Sequence, residues 1–101
     1  MLESISYLEI SCTYNRIDLI NFAGGTYVEN VRRVVVYRNR RYYLSYDNNT
    51  KEFTIFNSRN IIIAILRYDV FKFYPSKAPE IGLNLVWGLL AKLNVYPVKS
   101  F

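Results

Sequence analysis

Apolar, β-branched and aromatic residues come in short runs along this chain, broken at fairly regular intervals by Asn15-Arg16, Gly24-Gly25, Asn39-Arg40, Asn48-Asn49 and the polar segment 58–60. Runs rich in Ile, Val, Tyr, Phe and Thr suit a pleated, half-buried surface. The spacing predicts strands over 4–14, 17–22, 26–38, 41–47, 51–57 and 61–73. Each junction is short enough for a hairpin, so an antiparallel meander is the economical topology. Alternation is clearest after residue 41, where Tyr42, Leu44 and Tyr46 share one face and Tyr43, Ser45 and Asp47 the other; Phe53 and Ile55 then meet the apolar side. The run 61–66, IIIAIL, is apolar on both faces and fits a central strand or a buried helix. Stiffness of the β-branched isoleucines at χ1 favours the strand.

Beyond Pro79 the period changes. Pro79 and Glu80 suit a first helical turn, and Glu80, Asn84, Gly88 and Lys92 recur every four residues as one narrow polar stripe. Nearly everything else up to Leu93 is apolar, so this helix needs cover on more than one side. The sheet supplies one cover, and a wrapped sheet edge or a second copy of the chain supplies the other. A homodimer is the expectation, with Leu83, Val86, Trp87 and Leu90 at its interface. The fold class that follows is α+β: one domain over 1–101, an antiparallel meander sheet of five or six strands, open to curling into a half-barrel, with one C-terminal helix packed on it.

Charge sharpens the picture at one place. The chain carries 13 Lys and Arg against 8 Asp and Glu, a formal net charge of +5. The segment 32–46, RRVVVYRNRRYYLSY, holds Arg32, Arg33, Arg38, Arg40 and Arg41, four tyrosines and no acid, so the charge outside it balances. A local field of that kind draws a polyanion or an acidic surface. Guanidinium groups fork onto phosphates, and flat aromatic side chains stack on bases. Arg38, Arg40 and Arg41 are therefore the candidate phosphate contacts, Arg32 and Arg33 extend the patch, and Tyr37 and Tyr43 are the candidate stacking residues. Against this stands a plainer role, in which charged residues protect an exposed strand edge from pairing with other chains. No RNA-recognition strand motif, GxxG loop, zinc spacing or helix-turn-helix pattern is present, so the signal is generic.

Catalytic chemistry finds little support. The chain has no His, the commonest residue of triads, zinc sites and neutral-pH proton shuttles. The eight acids (Glu3, Glu9, Asp18, Glu29, Asp47, Glu52, Asp69 and Glu80) are scattered without a DxD or ExK pairing. A metal-dependent nuclease would need several of them to converge in space. Gly24-Gly25 lacks the ending and the following helix of a phosphate loop. No catalytic residue, metal site or cofactor is therefore expected. Cys12 falls in phase with Leu8 and Ile10 and reads as a small buried apolar side chain. The longest apolar stretch, 81–93, is short of the roughly 20 residues a bilayer span requires, and the first residues lack the form of a signal peptide. A soluble, cytoplasmic protein with no membrane partner is the expectation.

Ten Ile, ten Asn and ten Tyr, with no Gln or His and eight Arg against five Lys, make an unusual mix. It resembles the small orphan proteins of viruses and plasmids that infect thermophilic archaea. The resemblance is compositional, spans the chain diffusely and transfers no functional residue; it implies a small viral or mobile-element protein, acting in the host cytoplasm. The functional expectation is thus a non-enzymatic, basic module that binds DNA or RNA through its Arg/Tyr hairpin with low sequence specificity. The alternative is an interaction, inhibitor or structural module that docks on an acidic protein partner.

Overall fold

The computed structural model describes residues 7–25 and 32–98. Residues 4–6 and 26–31 of the expected strands, together with Glu3 and Glu29, lie outside the described residues. Seven antiparallel strands form a half-barrel sheet with two short helices, so the α+β class holds with more strands than the five or six expected. The elements are β1 (Leu8–Thr13), α1 (Arg16–Phe22), β2 (Arg33–Tyr37), β3 (Arg40–Asp47), β4 (Glu52–Phe56), β5 (Ile62–Arg67), β6 (Val70–Phe73), a single 3-10 turn at Pro75–Lys77, α2 (Val86–Lys92) and the two-residue β7 (Tyr96–Pro97). The strand order is β2-β3-β4-β5-β6-β1-β7. From β2 to β6 it is the expected meander; β1 then adds beside β6, and β7 beside β1.

One face of the sheet is apolar and covered. Val35, Tyr42, Leu44, Phe53, Ile55, Ala64, Leu66, Phe71, Phe73, Ile10 and Cys12 form a single core with Leu19 and Ala23 from the α1 segment and Val86, Leu89 and Leu90 from α2. The described residues leave the opposite face open, with Val34 and Val36 45% and 49% exposed. The strand alternation predicted for 41–56 is therefore the alternation observed, with Tyr42, Leu44, Phe53 and Ile55 on the covered side.

Three elements differ from the sequence expectation. Segment 17–22 is a helix, because the Asn15 side chain accepts the Asp18 amide at 3.0 Å and caps it, and Asp18 lies in the first turn. Gly24 and Gly25, at φ 110° and 83°, then end it in backbone that few other residues adopt. Segment 61–73 is not one strand but the β5–β6 hairpin, in which Arg67 opposes Val70 and Tyr68-Asp69 makes the turn. The expected helix over 80–93 is helical only over Val86–Lys92; residues 79–84 form turns, with Gly82 at φ 64° interrupting the helical path. The buried stripe of α2 (Val86, Leu89, Leu90) rests in the protomer's own core.

Candidate nucleic-acid interface

The basic hairpin forms as β2 and β3, with Tyr37 opposite Arg40. Its two-residue loop is therefore Arg38-Asn39, one position before the expected Asn39-Arg40. Both loop residues have positive φ, 52° and 64°, as a type I′ turn requires. Among the described strands β2 is the edge of the sheet, so the hairpin forms one margin of that sheet.

All five arginines of the hairpin are exposed, and none forms an ion pair with a described residue. Alternation divides them. Arg41 opposes Val36 on the open face, and the Arg32 guanidinium reaches the same face, 3.9 Å from the centroid of the Phe56 ring. Arg32 also donates to the Asn60 side-chain oxygen. Arg33 and Arg40 belong to the covered side, where Arg33 lies 4.9 Å from the ring centre of Phe22 on α1. Arg38 occupies the tip. The five charges thus wrap around a sheet margin instead of lining a single strip.

The two tyrosines proposed to stack have different surroundings. Tyr43 is half-buried on the open face, between Val34 on β2 and Phe56 on β4. Tyr37 points to the covered side and holds α2 in place. Its hydroxyl donates to the Leu85 carbonyl at 2.6 Å, and a Cβ on Gly88 would collide with that hydroxyl oxygen. Tyr37 is thus a packing residue in this fold, and Gly88, the third member of the expected polar stripe, makes room for it. Phe56 and Asn60 were missed by the sequence reading. The signal for Phe56 was its phase: it alternates with the buried Ile55 and so shares the Tyr43 side. Of the four residues expected at a dimer interface, Val86 and Leu90 are fully buried within the protomer, whereas Leu83 and Trp87 are 54% and 46% exposed. The cover for the apolar helix that a second copy was expected to supply is provided for Val86 and Leu90 by the chain's own sheet.

Below the arginines on the covered side, the buried Tyr42 hydroxyl donates to Glu80 Oε2 at 2.7 Å. Burial, then this hydrogen bond and the Glu80 charge, push the Tyr42 hydroxyl above its ordinary value of 10.0. Burial raises Tyr14 as well, and lifts the Cys12 thiol from 9.0 to about 11, with Asp69 adding to the shift. Cys12 is accordingly a protonated core residue at neutral pH, as its place in β1 suggested. A stability consequence follows. Below these ordinary values all three groups are protonated whether the chain is folded or not. Above them the unfolded chain releases protons that the folded chain retains, so stability falls by about 1.4 kcal/mol per pH unit for each group until its folded value is passed. Urea titrations at about pH 8 and about pH 10.5 check this. The midpoint is expected to drop, and to drop less in Tyr42→Phe; an unchanged wild-type midpoint contradicts the assignment.

Among the described residues, no three of His, Cys, Asp and Glu gather in a way that could hold a metal ion. Glu52 and Glu9 instead face Arg67 and Lys72 at 3.8 and 4.0 Å. No helix among the described residues is long and apolar enough to cross a membrane. No family model, no curated protein and no solved structure matches the chain.

Proposed function

We propose that this chain is a non-enzymatic nucleic-acid-binding module of low sequence specificity, gripping DNA or RNA at the β2–β3 margin. The observation that carries the reading is that five exposed arginines, accounting for the whole net charge, lie along one sheet margin without an ion pair to any described residue. Arg38, Arg40 and Arg41 contact phosphates around the hairpin tip, and Arg32 and Arg33 extend the patch along β2. Tyr43 is the stacking residue on the open face, while Tyr37 serves the fold. Contacts of this kind position a strand without reading its sequence.

Fluorescence anisotropy with labelled DNA and RNA over a range of salt tests the proposal. Binding is expected to weaken steeply with salt. In Arg38/Arg40/Arg41→Ala the log–log slope should become shallower by about two to three, since each lost phosphate contact removes about 0.7 for single strands and 0.9 for duplex DNA. Absence of binding at low salt, or a slope unchanged in the variant, overturns it. The β2 edge, which no described strand pairs, favours the second reading, an acidic protein partner that pairs in extended form along that edge. A folded protein that ignores nucleic acid at low salt directs the search there.

A further inference from the structure

Resting on that reading, we infer that the open face of the sheet at its β2–β3 end is a stacking platform for two successive bases of a single-stranded nucleic acid. The register builds the platform. Val34 opposes Tyr43, Tyr43 opposes Phe56, and across a shift in the β4–β5 register Phe56 opposes Ile62, so one apolar row crosses four strands on the open face. Its margins, Val34 and Ile62, are 45% and 42% exposed, and its two aromatic residues are register partners on adjacent strands. Neighbouring strands are about 4.8 Å apart, a step that the bases of an extended strand can follow.

Charge marks the occupant. Arg41 lies in the next row toward the tip, Arg32 lies over Phe56 itself, and Arg59 lies in the loop that immediately follows β4. The acids of this face are at its other end, where Asp47 opposes Glu52. There Glu52 and Glu9 are matched by Arg67 and Lys72. Neither Arg32 nor Arg41 forms an ion pair with a described residue, so the guanidiniums beside the row match an anionic occupant. A duplex presents phosphates and hides its base faces, which leaves the apolar row unused; a single strand satisfies rings and guanidiniums together.

Arg32 shows what the Phe56 ring accepts. Its flat guanidinium covers the Phe56 ring as a base would, and an exposed cation–π contact of this kind is weaker than base stacking. An arriving base takes that place, and the guanidinium turns to the adjoining phosphate.

The test compares binding of an intact single strand, the same strand with abasic sites, and the corresponding duplex, using wild type, Tyr43→Leu and Phe56→Leu. The leucine variants keep apolar cover and remove the flat ring, and thermal melts establish that they fold. Wild type is expected to prefer the intact single strand over both the abasic strand and the duplex by about tenfold or more. Each variant should lose most of that preference while keeping its salt slope. Equal affinity for intact and abasic strands, with steep salt dependence, overturns the platform and leaves the basic margin standing. Loss of all binding in wild type removes both.

Discussion

Replacing Phe53 with Ala is expected to lower the unfolding free energy by about 3–5 kcal/mol, the range for emptying a buried aromatic site. Phe53 is 0% exposed in the middle of the sheet, paired with Tyr46 on β3 and Leu66 on β5. Its ring meets Tyr14 edge-on, with centroids 6.0 Å apart and planes at 87°, and Tyr46 at 4.7 Å and 43°. Tyr14 follows β1 in the chain, so this one side chain joins the first strand to the meander. A domain of this length has about 5–15 kcal/mol in total, so the loss is a large share of what holds it folded. Urea unfolding followed by far-ultraviolet circular dichroism gives the value, and a change below about 1 kcal/mol contradicts this placing of the ring.

The second large effect is expected at Asn57, a buried polar residue at 8% exposure. Its side-chain oxygen accepts the amides of Arg59 and Ile61 at 2.9 and 3.0 Å, while its own amide donates to the Ile61 carbonyl at 2.9 Å. The loop between β4 and β5 is thus wound around one side chain, which delivers Asn60, at φ 68°, to Arg32. Asn57→Ala removes the acceptor from two amides and is expected to cost about 2 kcal/mol. Asn57→Asp keeps an acceptor in the same place and should recover most of that loss. Equal destabilisation by Ala and Asp in urea titrations shows that the side-chain oxygen is not what holds the loop. Where the protein binds nucleic acid, Asn57→Ala should also weaken binding through the displaced Arg32, and Asp should restore it in part.

Much of the sheet was legible because alternation and turn chemistry agree. The β3–β4 hairpin shows why: Asp47 accepts the amides of Asn49 and Thr50, and Lys51 takes the positive φ of 64°. The β5–β6 hairpin was hidden because its turn, Tyr68-Asp69, opens on an aromatic residue and holds neither Gly nor Asn. Tyr68, a strand-favouring aromatic, adopts φ 55° there, and only pairing of Arg67 with Val70 reveals the reversal. Segment 17–22 read as a strand on its apolar content, yet Asn15 with Asp18 three positions later was a helix-start signal outweighed by that content. The helix over 80–93 was overextended because period four was counted through Gly82. On the site, the cluster of arginines was plain from the sequence, whereas their division between two faces depended on the exact loop position. A shift of one residue at Arg38-Asn39 decides which arginines stand beside Tyr43. Tyr37 was expected to be free for stacking, and only the placing of α2, whose Leu85 carbonyl accepts its hydroxyl, shows that it packs inside.

The position of β1 in the sheet has a consequence for how the protein is made. The strands from β2 to β6 pair with neighbours in sequence, and each hairpin can close as soon as its second strand emerges from the ribosome. β1 emerges before all of them, but its partners are β6, through Leu8 with Phe73, and β7, through Thr13 with Tyr96. Until most of the chain has been translated, Ile10 and Cys12 have no strand to lie against. These long-range pairings are the slow kind to close. A strand synthesised before the meander is therefore seated only after it, and the nascent chain carries an unpaired apolar strand throughout the interval in which the basic hairpin is already complete.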